Sequence, residues 1–220
     1  MIMFITFEGP DGSGKTTIIN RLIIELIEKY PKLALNYVLT REPGGKDIIE
    51  AEKIRSLILD KDSKLSSVSE ALLYTTSRRI HLERVVWPAL KENRLVLCDR
   101  YVDSFFAYQG YARNLGITFV KKLTNLIIDK TMPDITIFFE IKPEESKIRR
   151  EQIRIVSDRL DSETELFHQK VYKGYHELIK KEKDRFIVVD ATKSIEEVLK
   201  ESFEKLDKHP RFKKWIKEFK

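Results

Sequence analysis

Gly9-Pro10-Asp11-Gly12-Ser13-Gly14-Lys15-Thr16 stands between an apolar run, Ile2–Glu8, and a segment with helical spacing, Lys15–Lys29. The spacing G-x-x-x-x-G-K-[ST], in strand–loop–helix context, is that of a phosphate-binding loop. Its glycines let the backbone wind tightly and turn N–H groups inward toward phosphate oxygens. The start of the following helix adds partial positive charge. In such a loop Lys15 reaches the β- and γ-phosphates of a nucleoside triphosphate, and the Thr16 hydroxyl binds Mg²⁺. Asp11 is electrostatically odd there, because a carboxylate repels phosphates. It is tolerable if it points away, toward a hydroxyl donor or the metal, which implies a second substrate close to the loop. The plainer alternative is an exposed loop carboxylate.

Outward from the loop, five runs read as buried strands: Ile2–Glu8, Asn36–Thr40, Arg94–Cys98, Ile135–Glu140 and Phe186–Val189. They are rich in Ile, Val, Leu and Phe with little alternation, as in parallel strands covered on both faces. Helical spacing marks Lys15–Lys29, Ser66–Lys91, Thr118–Lys130, Glu163–Lys183 and Ser194–Leu206. Pro88 predicts a kink or break near the end of the second of these. Ser194 with Glu197 makes a capping-box pattern. Strands alternating with helices predict an α/β fold with a mostly parallel sheet wrapped on both sides. Lys142–Asp161 is highly charged and poor in large apolar residues, so it reads as a mobile lid. Lys208–Lys220 carries Phe212, Trp215, Ile216 and Phe219 at helical spacing among Arg211, Lys213, Lys214, Lys217 and Lys220. It reads as an amphipathic helix docked on the body, with a phosphate-backbone patch as the alternative.

Composition sets the outer bounds. The chain has 220 residues, 42% hydrophobic and 35% charged. That suits one domain of ordinary size and excludes global disorder. The single cysteine, Cys98, excludes a disulfide framework and a cysteine zinc site, and its run of neighbours predicts a buried small hydrophobe. No apolar run approaches the roughly 20 residues needed to span a bilayer. Met1–Phe7 has no basic leader or cleavage site and reads as a strand, so a soluble, cytoplasmic protein is expected. The net charge of +6 points either to an anionic partner or to a lysine-rich solvated surface. The four histidines are scattered without metal-ligand spacing and read as surface or structural.

A second candidate cluster is Asp99-Arg100, at the carboxyl end of the third strand run. Ligands bind at that end of open parallel sheets. Asp99 there could hold Mg²⁺ through water, and the planar fork of Arg100 could clamp a phosphate. The alternative is a strand-end salt bridge.

Several motifs now stand in order. They are Phe7-Glu8-Gly9-Pro10-Asp11-Gly12-Ser13-Gly14-Lys15-Thr16-Thr17, Thr40-Arg41-Glu42-Pro43-Gly44-Gly45 and Leu73-Tyr74-Thr75-Thr76-Ser77-Arg78. After them come Asp99-Arg100-Tyr101-Val102-Asp103-Ser104, Ala107-Tyr108-Gln109-Gly110, Asp158-Arg159-Leu160-Asp161 and Asp190-Ala191-Thr192. From Phe4 to about Val198 the chain resembles the thymidylate kinase family, nucleoside monophosphate kinases of the P-loop fold. The resemblance implies a three-layer α/β/α P-loop NTPase fold with a five-stranded parallel sheet and a short lid. Residues 1–207 would form the kinase domain, with the lid at about 142–161, and 208–220 a basic extension.

The implied activity is transfer of the γ-phosphoryl group of ATP, with Mg²⁺, to thymidine 5′-monophosphate for dTTP synthesis. The implied ATP site is Gly9, Pro10, Asp11, Gly12, Ser13, Gly14, Lys15, Thr16 and Thr17, with Asp190, Ala191 and Arg149 or Arg150 on the adenine side. Asp11 would face the acceptor sugar and phosphate. Arg100 would clamp the acceptor phosphate with support from Arg41, and Ser104 would join the acceptor site. Tyr74 would stack on the base, Arg78 and Gln109 would read its edge, and Tyr108 would crowd the sugar 2′ position. Thr16 and Asp99 are the metal candidates. Where this chain has Gly12, some relatives carry an arginine, so the catalytic cation here would come from the lid arginines Arg149, Arg150 or Arg154, unranked. Lys46 and Phe105-Phe106 depart from the family pattern near the acceptor pocket. The resemblance also implies a homodimer, with no nucleic-acid or membrane partner.

Two other readings remain in view. A deoxynucleoside kinase would need a general base, for which Glu42 is placed. A DNA-processing ATPase would use the basic tail.

Overall fold

The apolar run before the phosphate loop folds as β1 (Met3–Glu8), buried along its whole length. The computed structural model describes residues 2–45, 47–153, 159–160 and 162–219. After β1 come α1 (Lys15–Lys29), β2 (Tyr37–Arg41), α2 (Ile49–Leu59), α3 (Ser67–His81), α4 (Trp87–Lys91), β3 (Leu95–Asp99) and α5 (Val102–Phe105). The chain continues through α6 (Ile117–Ile127), β4 (Ile135–Glu140), α7 (Pro143–Ile153), α8 (Glu165–Lys181), β5 (Phe186–Asp190), α9 (Ile195–Lys208) and α10 (Pro210–Glu218). The five strands pair in parallel in the order β2-β3-β1-β4-β5.

Period-2 geometry divides each strand between two cores. Met3, Ile5 and Phe7 of β1 pack in the layer that contains Ile18, Leu22 and Leu26 of α1 and Val198, Leu199 and Leu206 of α9. Phe4 faces the other layer, with Val96, Cys98, Tyr101 and residues of α8. Thr6 and Glu8 alternate onto that same side, so the strand delivers a carboxylate into the interior beside the loop. The result is a three-layer α/β/α fold. Cys98 is fully buried, and burial raises its thiol, reinforced by Glu42.

The helix read over Ser66–Lys91 is not broken at Pro88. A π-helical stretch, Leu82–Val86, follows α3 and shifts the register. Pro88 then falls in the first turn of α4, where its missing N–H costs little. The Ser194 capping box closes as its sequence suggests, with Ser194 and Glu197 each accepting from the other's backbone N–H. The tail forms α10, and Phe212, Trp215 and Phe219 join the α1–α9 core. Among the described residues no helix is long and apolar enough to cross a membrane.

Two helical segments were not expected from the sequence. In α2 only Ala51 and Ile58 are buried, so its apolar stripe is narrow. From α5 through a π-helical stretch, Phe106–Ala112, almost every side chain is buried, so there is no polar face to reveal a helix.

Candidate active site

Lys15 opens α1 and turns its ammonium back onto the loop, where it donates to the Pro10 carbonyl at 3.3 Å. Burial lowers the lysine's proton affinity, as does Arg100, while Asp99, Asp11 and Glu8 oppose both. Gly9, Gly12 and Gly14 all have positive φ. At Gly12 the need for glycine is double. A Cβ there would lie 2.8 Å from the Ser146 carbonyl and 3.1 Å from Cγ of Arg150. The helix α7 of the expected lid therefore sits directly on the phosphate loop. Ser146 fastens it, its hydroxyl donating to the Asp11 carbonyl at 2.6 Å.

Asp11 meets Arg100 across the loop, Oδ1 to Nη2 at 3.0 Å, and lies 3.8 Å from Lys15. Arg100 Nη1 also donates to Ser104 Oγ at 3.3 Å. Arg100 is held in a left-handed backbone conformation, φ 66°. Its own N–H donates to the Phe7 carbonyl, and the next N–H, of Tyr101, donates to Glu8 Oε1 at 2.8 Å. Glu8 also accepts from the N–H and hydroxyl of Ser104 and from Tyr175 at 2.9 Å. Burial pushes Glu8 up, as does Asp103, while Arg100, Ser104 and Tyr101 restrain it. Burial works against the charge on Arg100, but Asp11, the phenols of Tyr108 and Tyr175 and Asp99 raise its proton affinity overall.

A cleft of about 230 Å³ opens from this point and joins the loop to α3, α2 and the Phe106–Ala112 stretch. Asp11, Lys15, Thr16, Arg41, Tyr74, Arg78, Asp99, Arg100, Ser104, Tyr108 and Gln109 all line it. Arg78 is nearly fully buried. It donates from Nε to Glu42 at 2.7 Å and from Nη2 to the Tyr101 carbonyl at 3.2 Å. Glu42 is closed on its other oxygen by His81 Nδ1 at 3.1 Å. Tyr74 lies against Phe105, ring centroids 6.2 Å apart, and burial raises its phenol. Burial pushes the Tyr108 phenol up to about 12 against the pull of Arg100. Arg41 is partly taken up by Glu52 at 2.8 Å.

The residues expected beside the adenine lie apart from that cleft. Arg149 donates to the Ala191 and Thr192 carbonyls at 2.7 and 3.0 Å, beyond Asp190 at the end of β5. Thr17 lies in the first turn of α1 and is exposed. Arg154 lies outside the described residues, as do Lys46, Asp158 and Asp161. Arg55 also lines the cleft, donating to the Pro43 carbonyl at 2.9 Å. It was missed from sequence because α2 was. Glu8 and Glu70 were missed too. A carboxylate ending an apolar strand was the only signal for Glu8, and Glu70 gave none.

Comparison with known proteins decides the lineage. The thymidylate kinase family model matches residues 7–202. The chain belongs to the thymidylate kinase family. It is 59% identical over 215 residues to a thymidylate kinase of Mycoplasmopsis agalactiae, covering 98% of this chain and 99% of that one. A thymidylate kinase of Bacillus pumilus is 50% identical over 90% of this chain and 92% of its own. The crystal structure of thymidylate kinase from Ehrlichia chaffeensis superposes with a TM-score of 0.75 at 35% identity, covering 93% of this chain and 98% of that one. A thymidylate kinase fold therefore carries the loop, the Asp11–Arg100 pair and the cleft as one continuous surface.

Proposed function

We propose that the chain transfers the γ-phosphoryl group of ATP to thymidine 5′-monophosphate. The observation that carries this is the position of Arg100. Its guanidinium spans the carboxylate of the donor loop and the hydroxyl of Ser104 at the cleft, so it stands between a triphosphate site and a second anion site. Lys15 and Arg100 both hold positive charge where two phosphates would repel. Positioning and charge neutralisation are the demands of phosphoryl transfer. The acceptor needs no strong base, because a phosphate monoester loses its second proton near pH 6. Asp190 and Ala191 with Arg149 would border the adenine.

Thr16 and Asp99 suit Mg²⁺. Thr16 Oγ1 is 3.5 Å from Asp99 Oδ2, and Asp99 Oδ1 is buried with no hydrogen-bond partner among the described residues. Mg²⁺ is held by one or two protein oxygens plus substrate phosphates rather than by a full protein cage. Among the described residues no larger cluster of acids, histidines or cysteine is available. When bound, the ion would neutralise charge on the donor phosphates.

Glu42 bears on the deoxynucleoside kinase reading. One oxygen accepts from Arg78 and the other faces His81, so neither is left to deprotonate a sugar hydroxyl. ADP release measured with thymidine and with the monophosphates of thymidine, deoxyuridine, uridine, cytidine and guanosine tests the function. Turnover greatest with thymidine 5′-monophosphate is expected. Preference for thymidine would overturn the reading, and ATP hydrolysis stimulated by DNA would favour the DNA-processing alternative.

A homodimer is part of the proposal. Val68 and Leu72 of α3 and Phe119 and Leu126 of α6 are exposed on two helices that pack together. That face would bury itself against a second copy. Sedimentation of the same preparation at the monomer mass would refute this.

A further inference from the structure

Behind the cleft lies Glu70, a residue of α3 that is only 1% exposed. Its Oε1 accepts from Gln109 Nε2 at 2.7 Å and from Arg113 Nε at 3.3 Å. Its Oε2 accepts from Arg113 Nη2 at 3.3 Å and from Arg159 Nη2 at 2.5 Å. A carboxylate set between two guanidinium groups is an acceptor only. The Gln109 amide can therefore turn only its NH₂ end toward Glu70. Gln109 is itself 1% exposed, so its other end cannot borrow water freely.

That other end, Oε1, is buried with no partner among the described residues. So is Nη1 of Arg78, the arm left over after Glu42 and the Tyr101 carbonyl are served. Both residues line the same cleft. An unmet acceptor and an unmet donor, each costly to leave buried, stand ready for one ligand edge. That edge must carry an N–H beside a carbonyl, which is the imide edge of thymine. The aminopyrimidine edge of cytosine carries the reverse pattern, a ring acceptor beside an amino donor.

We propose that Glu70 is the positioning residue that sets this polarity. It locks the Gln109 amide with its oxygen toward the base, so that the cleft accepts an imide edge and refuses an aminopyrimidine edge. The inference rests on the proposed acceptor, a pyrimidine monophosphate. Arg113 and Arg159 keep Glu70 from turning its own carboxylate into the cleft.

The Glu70→Gln variant tests it, with thymidine 5′-monophosphate and 5-methyl-2′-deoxycytidine 5′-monophosphate as paired acceptors. The two share shape and methyl group and differ in edge polarity. In this variant the new side-chain carbonyl would turn to the two arginines and the new NH₂ to Gln109, inverting the amide of Gln109. The preference for thymidine 5′-monophosphate, as a ratio of kcat/KM values, is expected to shrink about tenfold or more, chiefly through KM. The double variant Glu70→Gln with Gln109→Glu returns an acceptor to the cleft and is expected to recover the preference. A merely structural role would lower both substrates equally, and an unchanged ratio in Glu70→Gln overturns the proposal.

A second measurement needs no variant. In ¹⁵N-labelled wild-type protein the side-chain amide protons of Gln109 are expected to exchange slowly with solvent before any ligand is added. They should shift little when thymidine 5′-monophosphate binds. Rapid exchange, or a large shift on binding, would place the NH₂ toward the base and overturn the inference. If wild-type protein fails to turn over thymidine 5′-monophosphate, the functional reading falls, while the amide exchange in free protein still decides the role of Glu70.

Discussion

Arg100→Ala is expected to lower kcat/KM for thymidine 5′-monophosphate by about 10³-fold, equivalent to about 4 kcal/mol. The size follows from where the guanidinium stands. It is 16% exposed and hydrogen-bonded on one arm to Asp11 and on the other to Ser104. Removing it takes from Asp11 the guanidinium 3.0 Å away, where a phosphate would enter, and leaves Lys15 at 3.8 Å. It also leaves Glu8 without the cation that restrains it. Arg100→Lys separates charge from shape. A lysine keeps the positive charge but has no planar fork to bridge Asp11 and Ser104. It is therefore expected to recover only a small part of the lost activity. Turnover and KM for both nucleotides, measured on all three proteins, check this. Activity of Arg100→Ala within tenfold of wild type would remove Arg100 from the site.

The same residue shows how far the sequence could be read. Asp99-Arg100 at a strand end was visible as a candidate pair at the ligand-binding edge of the sheet, a phosphate clamp or a strand-end salt bridge, because the residue types and the end of the strand suffice for that. Its positive φ and the seating of the next residue on Glu8 were not visible. They go with two backbone hydrogen bonds, from the Arg100 N–H to the Phe7 carbonyl and from the next N–H, of Tyr101, to Glu8, whose strand is brought alongside by the β1–β3 pairing. Strands were legible within a residue or two because burial on both faces leaves continuous apolar runs. The phosphate loop was legible because its geometry demands glycines at fixed spacing. Segments lacking a two-faced pattern were not. The run from Val102 to Ala112 is buried nearly all round, while α2 buries too little. Losing α2 meant losing Arg55. The interior polar set of Thr6, Thr136, Asp103 and Arg185 was equally silent. Of its hydrogen bonds, Thr6 to Thr136 at 2.8 Å joins β1 to β4, and Arg185 to Asp103 at 2.7 Å joins the turn before β5 to α5. In the lid, low hydrophobicity suggested mobility. The structure seats α7 against the loop, with the Ser146 hydroxyl on the Asp11 carbonyl and no side chain at Gly12 to hold it off.

That seating of α7 separates two arginines that the sequence leaves equivalent. Arg150→Ala is expected to lower kcat about 10³-fold with a small change in KM, the size characteristic of an arginine that meets transition-state charge. Arg149→Ala is expected to raise KM for ATP about tenfold and to spare more of kcat, as loss of uniform binding does. Consecutive residues on a helix point roughly 100° apart, so the neighbours cannot serve the same place. Arg149 turns to the Ala191 and Thr192 carbonyls, on the side assigned to adenine. Arg150 turns over the loop, with its Cγ 3.1 Å from the Cβ position of Gly12. Its charge is felt by Tyr108, where it works with Arg100 against the effect of burial. An arginine in place of Gly12 would collide with this side chain and with the Ser146 carbonyl. The loop glycine and the lid cation are therefore two halves of one arrangement. Steady-state kinetics varying each nucleotide in turn check the split. Near-wild-type kcat in Arg150→Ala would move the catalytic charge to another residue, and a larger kcat loss in Arg149→Ala than in Arg150→Ala would reverse the assignment.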